Sequence, residues 1–100
     1  FLRIIHPHMV CKDGTALSIQ VGESLYCEPR ENKGPYTLME VGLMSGVFIL
    51  KEEWEHYRDG DRFVYGYVPV SLIQRELDLH GGIDVARTFV EALGYERKMR

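Results

Sequence analysis

The sequence predicts an α+β fold, in which an antiparallel β meander of roughly four to five strands is covered by a C-terminal pair of helices. Two observations lead to this fold class. Apolar residues alternate with a period of two up to Val68, and after Pro69 they recur with helical spacing. The strands also precede the helices, without the strand–helix–strand order of a parallel sheet. We expect the 100 residues to form a single domain.

The first hairpin is predicted at Asp13-Gly14, because this dipeptide between two apolar runs is a strong turn signal. A two-residue loop would place Val10 opposite Leu17 and would turn Cys11 to the other face of the sheet. The second strand of this hairpin is predicted to bury one face, which is formed by Thr15, Leu17, Ile19 and Val21.

The middle of the chain predicts a second hairpin and a short helix. Leu25–Glu28 and Tyr36–Val41 are expected to pair as strands, and Gly42–Gly46 to form the next turn. Val47–Leu50 suits a strand or the start of a helix. The composition of Lys51–Tyr57 favours one or two helical turns.

The last predicted strand is Arg62–Val68, which alternates strictly. Its pattern places Phe63, Tyr65 and Tyr67 on one face. Exposed aromatic side chains on a strand can stack on nucleic-acid bases, so this face is a candidate nucleic-acid surface.

Two helices are predicted in the remainder of the chain. Ser71 and Gln74 fit a capping box at the start of the first helix, and Gly81-Gly82 should end it. Asp84 is expected to cap the second helix, and Gly94 to end it. The second helix has one apolar face, formed by Val85, Ala86, Phe89, Val90 and Leu93. Because its outward positions are near-neutral, we favour a packing pair over a DNA-binding helix-turn-helix.

Composition argues against several classes of protein. The net charge is −3 and the pI is about 5.8, so the basic surface typical of nucleic-acid-binding proteins is absent. No apolar run reaches the roughly 18–20 residues of a membrane span, and we find no signal peptide, so we expect a cytoplasmic protein. Cys11 and Cys27 could pair on neighbouring strands, but we favour reduced thiols.

No set of residues predicts catalysis, a cofactor or a metal. His6 and His8 share one face of a strand, but the predicted register places Cys11 on the other face, and zinc needs three or four converging ligands. Cys27 with Arg30 nearby could be a nucleophile, although a cysteine before a loop is more often a packed residue. No phosphate-binding glycine motif is present.

The strongest functional signal is the segment from Leu25 to Tyr36, which we call the charged loop. It has two prolines, a glycine and several charges between aromatic-bearing runs, which is typical of a shaped, exposed loop. Since tyrosine, tryptophan and arginine dominate protein interfaces, we expect partner binding by charged-loop residues and by two aromatic anchors. These predicted contacts are Arg30, Asn32, Lys33 and Tyr36 in the loop, with Trp54 and Tyr57 as anchors.

Three short sequence segments resemble small accessory proteins of tailed bacteriophages. They are Tyr26-Cys-Glu-Pro-Arg-Glu-Asn-Lys-Gly-Pro-Tyr36 followed by Met39-Glu-Val-Gly42, then Tyr65-Gly-Tyr-Val-Pro69, then His80-Gly-Gly82. The similarity covers roughly residues 14–42 and 65–83. It carries no activity, but it implies a phage protein, and such proteins without a catalytic signature often inhibit or adapt host machinery, including defence systems.

The sequence therefore favours a non-enzymatic α+β protein that binds a host protein, such as an anti-CRISPR-like inhibitor, in the cytoplasm of a bacterium. Two alternatives stay open. One is a small ligand-binding domain or enzyme with a pocket near Cys27, and the other is nucleic-acid binding through the Tyr65/Tyr67 face. A homodimer is a further option that the sequence leaves open.

Overall fold

The computed structural model of the chain describes residues 6–23, 25–60 and 62–99, with side chains described up to residue 94. Four antiparallel strands form one sheet in the order β1-β2-β3-β4. The predicted α+β class is confirmed. The strands are β1 (Met9–Val10), β2 (Ala16–Gln20), β3 (Leu38–Ser45) and β4 (Val64–Pro69), and the helices are α1 (Lys51–Glu55), α2 (Val70–Leu79) and α3 (Val85–Met99).

One face of the sheet packs against α1 and α2 and forms the core. Its centre is aromatic: the rings of Phe48 and Trp54 stack with centroids 3.9 Å apart, and Tyr65 meets both rings edge-on. Each such aromatic pair stabilises the folded chain by roughly 0.5–1.5 kcal/mol, in addition to the stabilisation that comes from burying apolar area. The aliphatic part of the core comprises Leu17, Val41, Val68, Leu72, Ile73 and Leu77.

The first hairpin differs from the prediction by one residue. Val10 pairs with Ala16 rather than with Leu17, because the loop has three residues, with Gly14 in the left-handed region at φ +92°. The backbone N–H of Cys11 donates to the Thr15 carbonyl at 2.8 Å. A shift of one residue exchanges the two faces of a strand, so Cys11 points into the core rather than away from it.

The second predicted hairpin is confirmed only in part: residues 38–41 form a strand as predicted, but the predicted turn at 42–46 is wrong. β3 continues to Ser45, because Gly42 is paired on both sides, with Ser18 of β2 and Val64 of β4. The turn comes only at Gly46, at φ +86°. The segment predicted as a strand at 25–28 turns instead, through hydrogen bonds between neighbouring residues, and keeps a single bridge between Glu28 and Leu38.

The predicted aromatic face of β4 is also wrong. The register shifts by one residue between the Met39–Val68 pair and the Val41–Tyr65 pair, and Tyr67 has φ +54°. This bulge breaks the alternation. Tyr65 and Val68 therefore both enter the core, while Tyr67 is partly exposed.

The helix boundaries confirm part of the prediction. α2 begins directly after Pro69 without a side-chain cap, so the Ser71 capping box is not formed. Two glycines with positive φ end α2 as predicted. Asp84 caps α3 by accepting the Arg87 backbone N–H at 3.0 Å, but α3 passes Gly94 and reaches Met99.

None of the three helices, over the described residues, combines the length and apolar composition that crossing a bilayer requires.

Candidate functional site

The charged loop is attached to the sheet near the start of β3 and the end of β4. The Glu28 backbone N–H donates to the Leu38 carbonyl at 2.9 Å, and the Tyr67 N–H donates to the Tyr26 carbonyl at 2.9 Å. Tyr26 also covers Gly66, where an added Cβ would lie 3.0 Å from the Tyr26 Cβ. Only a glycine allows the loop to approach β4 so closely.

The sulfur of Cys27 holds the first part of the charged loop in shape. Cys27 is buried, and its Sγ accepts the Gly22 backbone N–H at 3.3 Å. The thiol can in turn donate to the carbonyl of Gly22 at 3.3 Å or of Pro29 at 3.2 Å. A buried sulfur with these contacts is a structural group rather than an exposed nucleophile. Cys27 is also absent from the lining of the 140 Å³ cleft beside the loop, which comprises His6, Val21, Asn32, Gly34 and Tyr36.

Two of the predicted contact residues also shape the charged loop. The Asn32 Oδ1 accepts the Glu23 backbone N–H at 3.1 Å. The Tyr36 hydroxyl donates to the Glu31 carbonyl at 2.7 Å. The Asn32 Oδ1 therefore ties the loop to the segment before it, and the Tyr36 hydroxyl closes a contact within the loop, whose Glu28–Pro29 and Gly34–Pro35 peptide bonds are cis.

Arg30 and Lys33 are the two cationic residues of the charged loop. Both are exposed, and neither forms a hydrogen bond or an ion pair with any part of the chain that the structure describes. The loop thus presents these two positive charges beside the exposed Glu28 and Glu31, on a backbone that its other side chains hold in place.

The two predicted aromatic anchors lie elsewhere. Trp54 is only 1% exposed, because it stacks on Phe48 and donates its indole N–H to Glu76 at 3.1 Å. It has no surface to offer a partner, and this corrects the prediction for Trp54. Tyr57 is half-buried against the core, and its carbonyl accepts the Gly66 N–H at 2.9 Å.

The Tyr65/Tyr67 face that nucleic-acid binding would require does not form. Tyr65 lies in the core, and burial, the largest influence, raises the pKa of its phenol. Tyr67 packs against Tyr26, with ring centroids 5.8 Å apart. RNA-binding sheets stack two or three bases on aromatic side chains of one open face, and the bulge in β4 separates Tyr65 from Tyr67.

A buried carboxylate that the sequence prediction missed lies beneath α1. Glu76 of α2 has no exposed surface, and its two carboxylate oxygens accept four hydrogen bonds. The donors are the Ile49 N–H at 2.8 Å, the Leu50 N–H at 3.0 Å, the Trp54 indole at 3.1 Å and the His80 Nε2 at 2.6 Å. A fully buried carboxylate needs hydrogen-bond partners for its oxygens, and these four donors supply them. One feature of the sequence could have predicted the burial of Glu76: the helical spacing places it on the same face of α2 as the apolar residues Ile73 and Leu77.

His80 extends this cluster to the first hairpin. Its Nδ1 contacts the Asp13 carboxylate at 2.5 Å and the Thr15 hydroxyl at 3.0 Å. Burial alone would lower the pKa of His80, but the hydrogen bonds to Asp13 and then Glu76 outweigh it and raise the pKa. The Thr15 backbone N–H, followed by His80, lowers the pKa of Asp13 to about 2. We call the buried residues Thr15, Glu76 and His80, together with the half-exposed Asp13 that His80 contacts, the buried polar cluster.

The buried polar cluster has the geometry of a structural network. Both ring nitrogens of His80 are engaged, and every buried side-chain nitrogen or oxygen of the described residues has a partner. No group of three or more His, Cys, Asp or Glu side chains within the described ranges could hold a metal ion. Cys11 and Cys27 are both free thiols.

Two apolar surfaces stay open. The α3 stripe is the exposed apolar side of α3, formed by Val85, Phe89, Val90 and Leu93. The apolar groove has a volume of about 470 Å³ and lies between β1, β2, α2 and the start of α3. Large exposed apolar patches mark interaction sites in soluble proteins.

No protein-family model, no curated protein and no solved structure matches this chain.

Proposed function

We propose that this chain is a non-enzymatic protein-binding domain of a tailed bacteriophage, which acts in the bacterial cytoplasm as an inhibitor or adaptor on a host protein. A component of host defence is the kind of target we expect. The charged loop is the proposed binding surface. One observation carries the proposal: Arg30 and Lys33 are exposed and unpaired within the described structure, on a loop that its own hydrogen bonds hold in shape.

A preformed loop lowers the cost of binding. Ordering a flexible side chain at an interface costs about 0.5–1.5 kcal/mol, and ordering a loop adds to this. In the charged loop, the contacts of Cys27, Asn32 and Tyr36 fix the backbone before any partner arrives. The contacts of Arg30 and Lys33 with a partner then contribute to affinity without first having to offset the cost of ordering the loop.

The charges of the loop indicate the chemistry of the partner. An arginine guanidinium pairs with a carboxylate through two parallel hydrogen bonds, and a lysine offers a mobile point charge. A host surface with carboxylates opposite Arg30 and Lys33, and with cationic groups opposite the exposed Glu28 and Glu31, would complement the loop. The phage origin and the inhibitory role rest on the sequence resemblance of the charged loop and of the Tyr65–Pro69 and His80–Gly82 segments.

The test compares two double variants. Arg30→Ala with Lys33→Ala removes both loop cations, and Lys51→Ala with Arg62→Ala removes one exposed lysine and one exposed arginine outside the loop. Affinity capture from a host lysate, with mass spectrometry, identifies a partner, and titration calorimetry then measures each variant. We expect the loop variant to bind about 10- to 100-fold more weakly, which corresponds to roughly 1.4–2.8 kcal/mol. Equal affinity of both variants would rule out the loop as the binding surface.

A further inference from the structure

The imidazole ring of His80 lies between two carboxylates. Its Nδ1 is 2.5 Å from a carboxylate oxygen of Asp13, and its Nε2 is 2.6 Å from a carboxylate oxygen of Glu76. An ionised carboxylate only accepts hydrogen bonds, and a neutral imidazole has a single N–H to donate. With both carboxylates ionised, the two contacts are hydrogen bonds at the same time only if both ring nitrogens carry a proton. The contacts therefore fit a protonated His80.

The first hairpin and α2 supply the titratable groups around this ring. Besides the two carboxylates, the Thr15 hydroxyl lies 3.0 Å from Nδ1. Burial first, and then the charges of Asp13 and Glu76, raise the pKa of the nearby Cys11 thiol. Cys11 therefore stays neutral, and the protonation of the ring depends on the two carboxylates.

Two cationic residues lie near the tip of the first hairpin. Lys12 lies beside Gly81, and the Arg87 guanidinium of α3 lies near Gly14. Both residues are exposed, and in the part of the chain that the structure describes neither of them pairs with Asp13. In this arrangement they do not compete with His80 for the Asp13 carboxylate.

The two carboxylates differ in their freedom to move. Glu76 has no exposed surface, and its oxygens accept three further hydrogen bonds from residues 49–54. Turning Glu76 away would leave these donors unpaired in the core, which is costly. The Asp13 side chain, in contrast, is 46% exposed and can turn into water. When the ring loses one proton, Nε2 therefore keeps its N–H for Glu76, and Nδ1 is the nitrogen that is deprotonated.

The Thr15 hydroxyl can replace Asp13 as the partner of Nδ1. Because a hydroxyl both donates and accepts, Thr15 can donate to the deprotonated nitrogen across the same 3.0 Å. The lone pair of a deprotonated Nδ1 would also face the negative Asp13 carboxylate at 2.5 Å and repel it. The deprotonated ring thus has a partner for each nitrogen without Asp13.

We propose that Asp13 and His80 form a pH-dependent latch between the tip of the first hairpin and the C-terminal end of α2. The latch is closed while both ring nitrogens are protonated. It opens when the Nδ1 proton passes to solvent, the Thr15 hydroxyl donates to Nδ1, and the Asp13 carboxylate turns outward. Although burial opposes it, hydrogen bonding to Asp13 and then to Glu76 raises the pKa of His80, so the latch opens above the ordinary value of 6.5.

Opening of the latch frees the tip of the hairpin and leaves its base attached. The Thr15 backbone N–H loses its acceptor, because it donates to the Asp13 Oδ1 at 2.9 Å. The Lys12 backbone N–H keeps its bond of 3.0 Å to the Gly82 carbonyl. The latch therefore changes one turn of the chain without unfolding the sheet.

The first test follows the two ring nitrogens of His80 in the full chain by ¹⁵N NMR between about pH 5 and pH 9, a range that spans the ordinary titration of histidine. His80→Gln assigns the signals. Both nitrogens should be protonated at the lowest pH, and Nδ1 alone should lose its proton as the pH rises. Loss of the proton from Nε2 would overturn the latch. So would a ring with one proton at the lowest pH, because the shared proton would then reside on Glu76.

The second test compares the titration of His80 in three variants. Asp13→Asn removes the charge but keeps the shape of the side chain, so His80 should lose its proton at a lower pH than in the wild type. Asp78→Asn is the control, since Asp78 is an exposed aspartate of α2 that bonds to Gln74, and it should leave the titration unchanged. Thr15→Val removes the donor of the open state and should move the titration to a higher pH.

Two results of this comparison would contradict the latch. One is an Asp13→Asn variant in which His80 titrates as it does in Asp78→Asn. The other is a Thr15→Val variant in which His80 titrates at a lower pH, because the hydroxyl would then serve the protonated ring rather than the deprotonated one.

Amide hydrogen exchange shows whether the change is local. After correction for the pH dependence of exchange itself, the Thr15 N–H should lose protection over the pH range in which His80 titrates. The Leu50 N–H, which donates to Glu76 at 3.0 Å, should keep most of its protection. Equal losses at both amides would mean that the whole chain loosens, and the latch would be refuted.

Discussion

The charged loop and the buried polar cluster both use polar side chains to hold irregular backbone, but they act over different distances. In the loop, the bonds of Cys27, Asn32 and Tyr36 reach residues at most nine positions away. In the cluster, His80 bonds to Asp13, 67 positions away, and Glu76 bonds to Ile49, 27 positions away. The loop network is local, and the cluster network joins distant parts of the chain.

This difference separates two roles. A local network shapes one surface, so its loss should change binding more than global stability. A network that connects α2, the first hairpin and the segment before α1 holds the core together, so its loss should unfold the whole chain more easily.

The largest effect is expected from Glu76→Ala. The variant leaves two backbone N–H groups, the Trp54 indole and the His80 ring without their acceptor in the core. Removing one partner of a buried charged pair costs about 3–5 kcal/mol. Urea unfolding followed by tryptophan fluorescence measures the loss.

Glu53→Ala is the matched control for Glu76→Ala. Glu53 pairs with Arg75 at 3.1 Å, but both side chains are about half exposed. Exposed ion pairs contribute about 0–1 kcal/mol. If Glu76→Ala were no more destabilising than Glu53→Ala, the cluster would not be the element that holds the core together.

The next effect is a pH dependence that originates at His80. Because its folded pKa is raised, the stability it contributes is complete below its ordinary value of about 6.5 and is lost as the pH rises through the folded pKa. Urea midpoints of the wild type should therefore fall as the pH rises above about 6.5. His80→Gln should unfold at a lower urea concentration and lack this decline. An equal decline in the variant would assign the effect to another group.

The stability that Asp13 contributes depends on pH in the opposite direction to that of His80. Asp13 has a folded pKa of about 2 against an ordinary value of 3.8. The stability that Asp13 contributes is complete at a pH above its ordinary pKa, and it is lost as the pH falls towards its folded pKa. The cluster should thus stabilise the chain most between about pH 4 and pH 6.5.

The sequence predicted the features that depend on neighbouring residues. The glycines after α2, the Asp84 cap and the α+β order all follow from local composition and are confirmed. The charged loop was identified by its prolines and charges for the same reason. Whether it binds a partner stays a prediction.

Features that depend on distant residues could not be predicted. The three-residue loop at Gly14 and the bulge at Tyr67 each shift a register by one, and alternation alone does not reveal such a shift. Glu76 appears in the sequence as a surface glutamate, because three of its four donors come from the distant segment of Ile49, Leu50 and Trp54. Trp54 is predicted as a surface anchor because tryptophan is frequent at interfaces, and the pattern around it does not reveal its burial against Phe48 and Glu76.

A smaller effect is expected from Cys27→Ala in the charged loop. The buried sulfur is lost together with its contacts to Gly22 and Pro29, at a cost of about 1–2 kcal/mol. Cys11→Ala removes the same atoms from the core hairpin and is the control. Both variants should lose stability in urea, but only Cys27→Ala should weaken the binding of a captured partner. Equal binding by both would show that the sulfur does not shape the binding surface.

The smallest effect on stability is expected from Asn32→Ala. Its side chain makes one exposed hydrogen bond, to the Glu23 N–H at 3.1 Å, so the loss should stay below about 1 kcal/mol. Affinity for a captured partner should nevertheless fall several-fold, because the loop that presents Arg30 and Lys33 becomes less ordered. Asn32→Asp keeps an accepting oxygen at the same position and should retain most of the affinity. If Asn32→Asp bound as weakly as Asn32→Ala, Asn32 would contact the partner directly rather than support the loop.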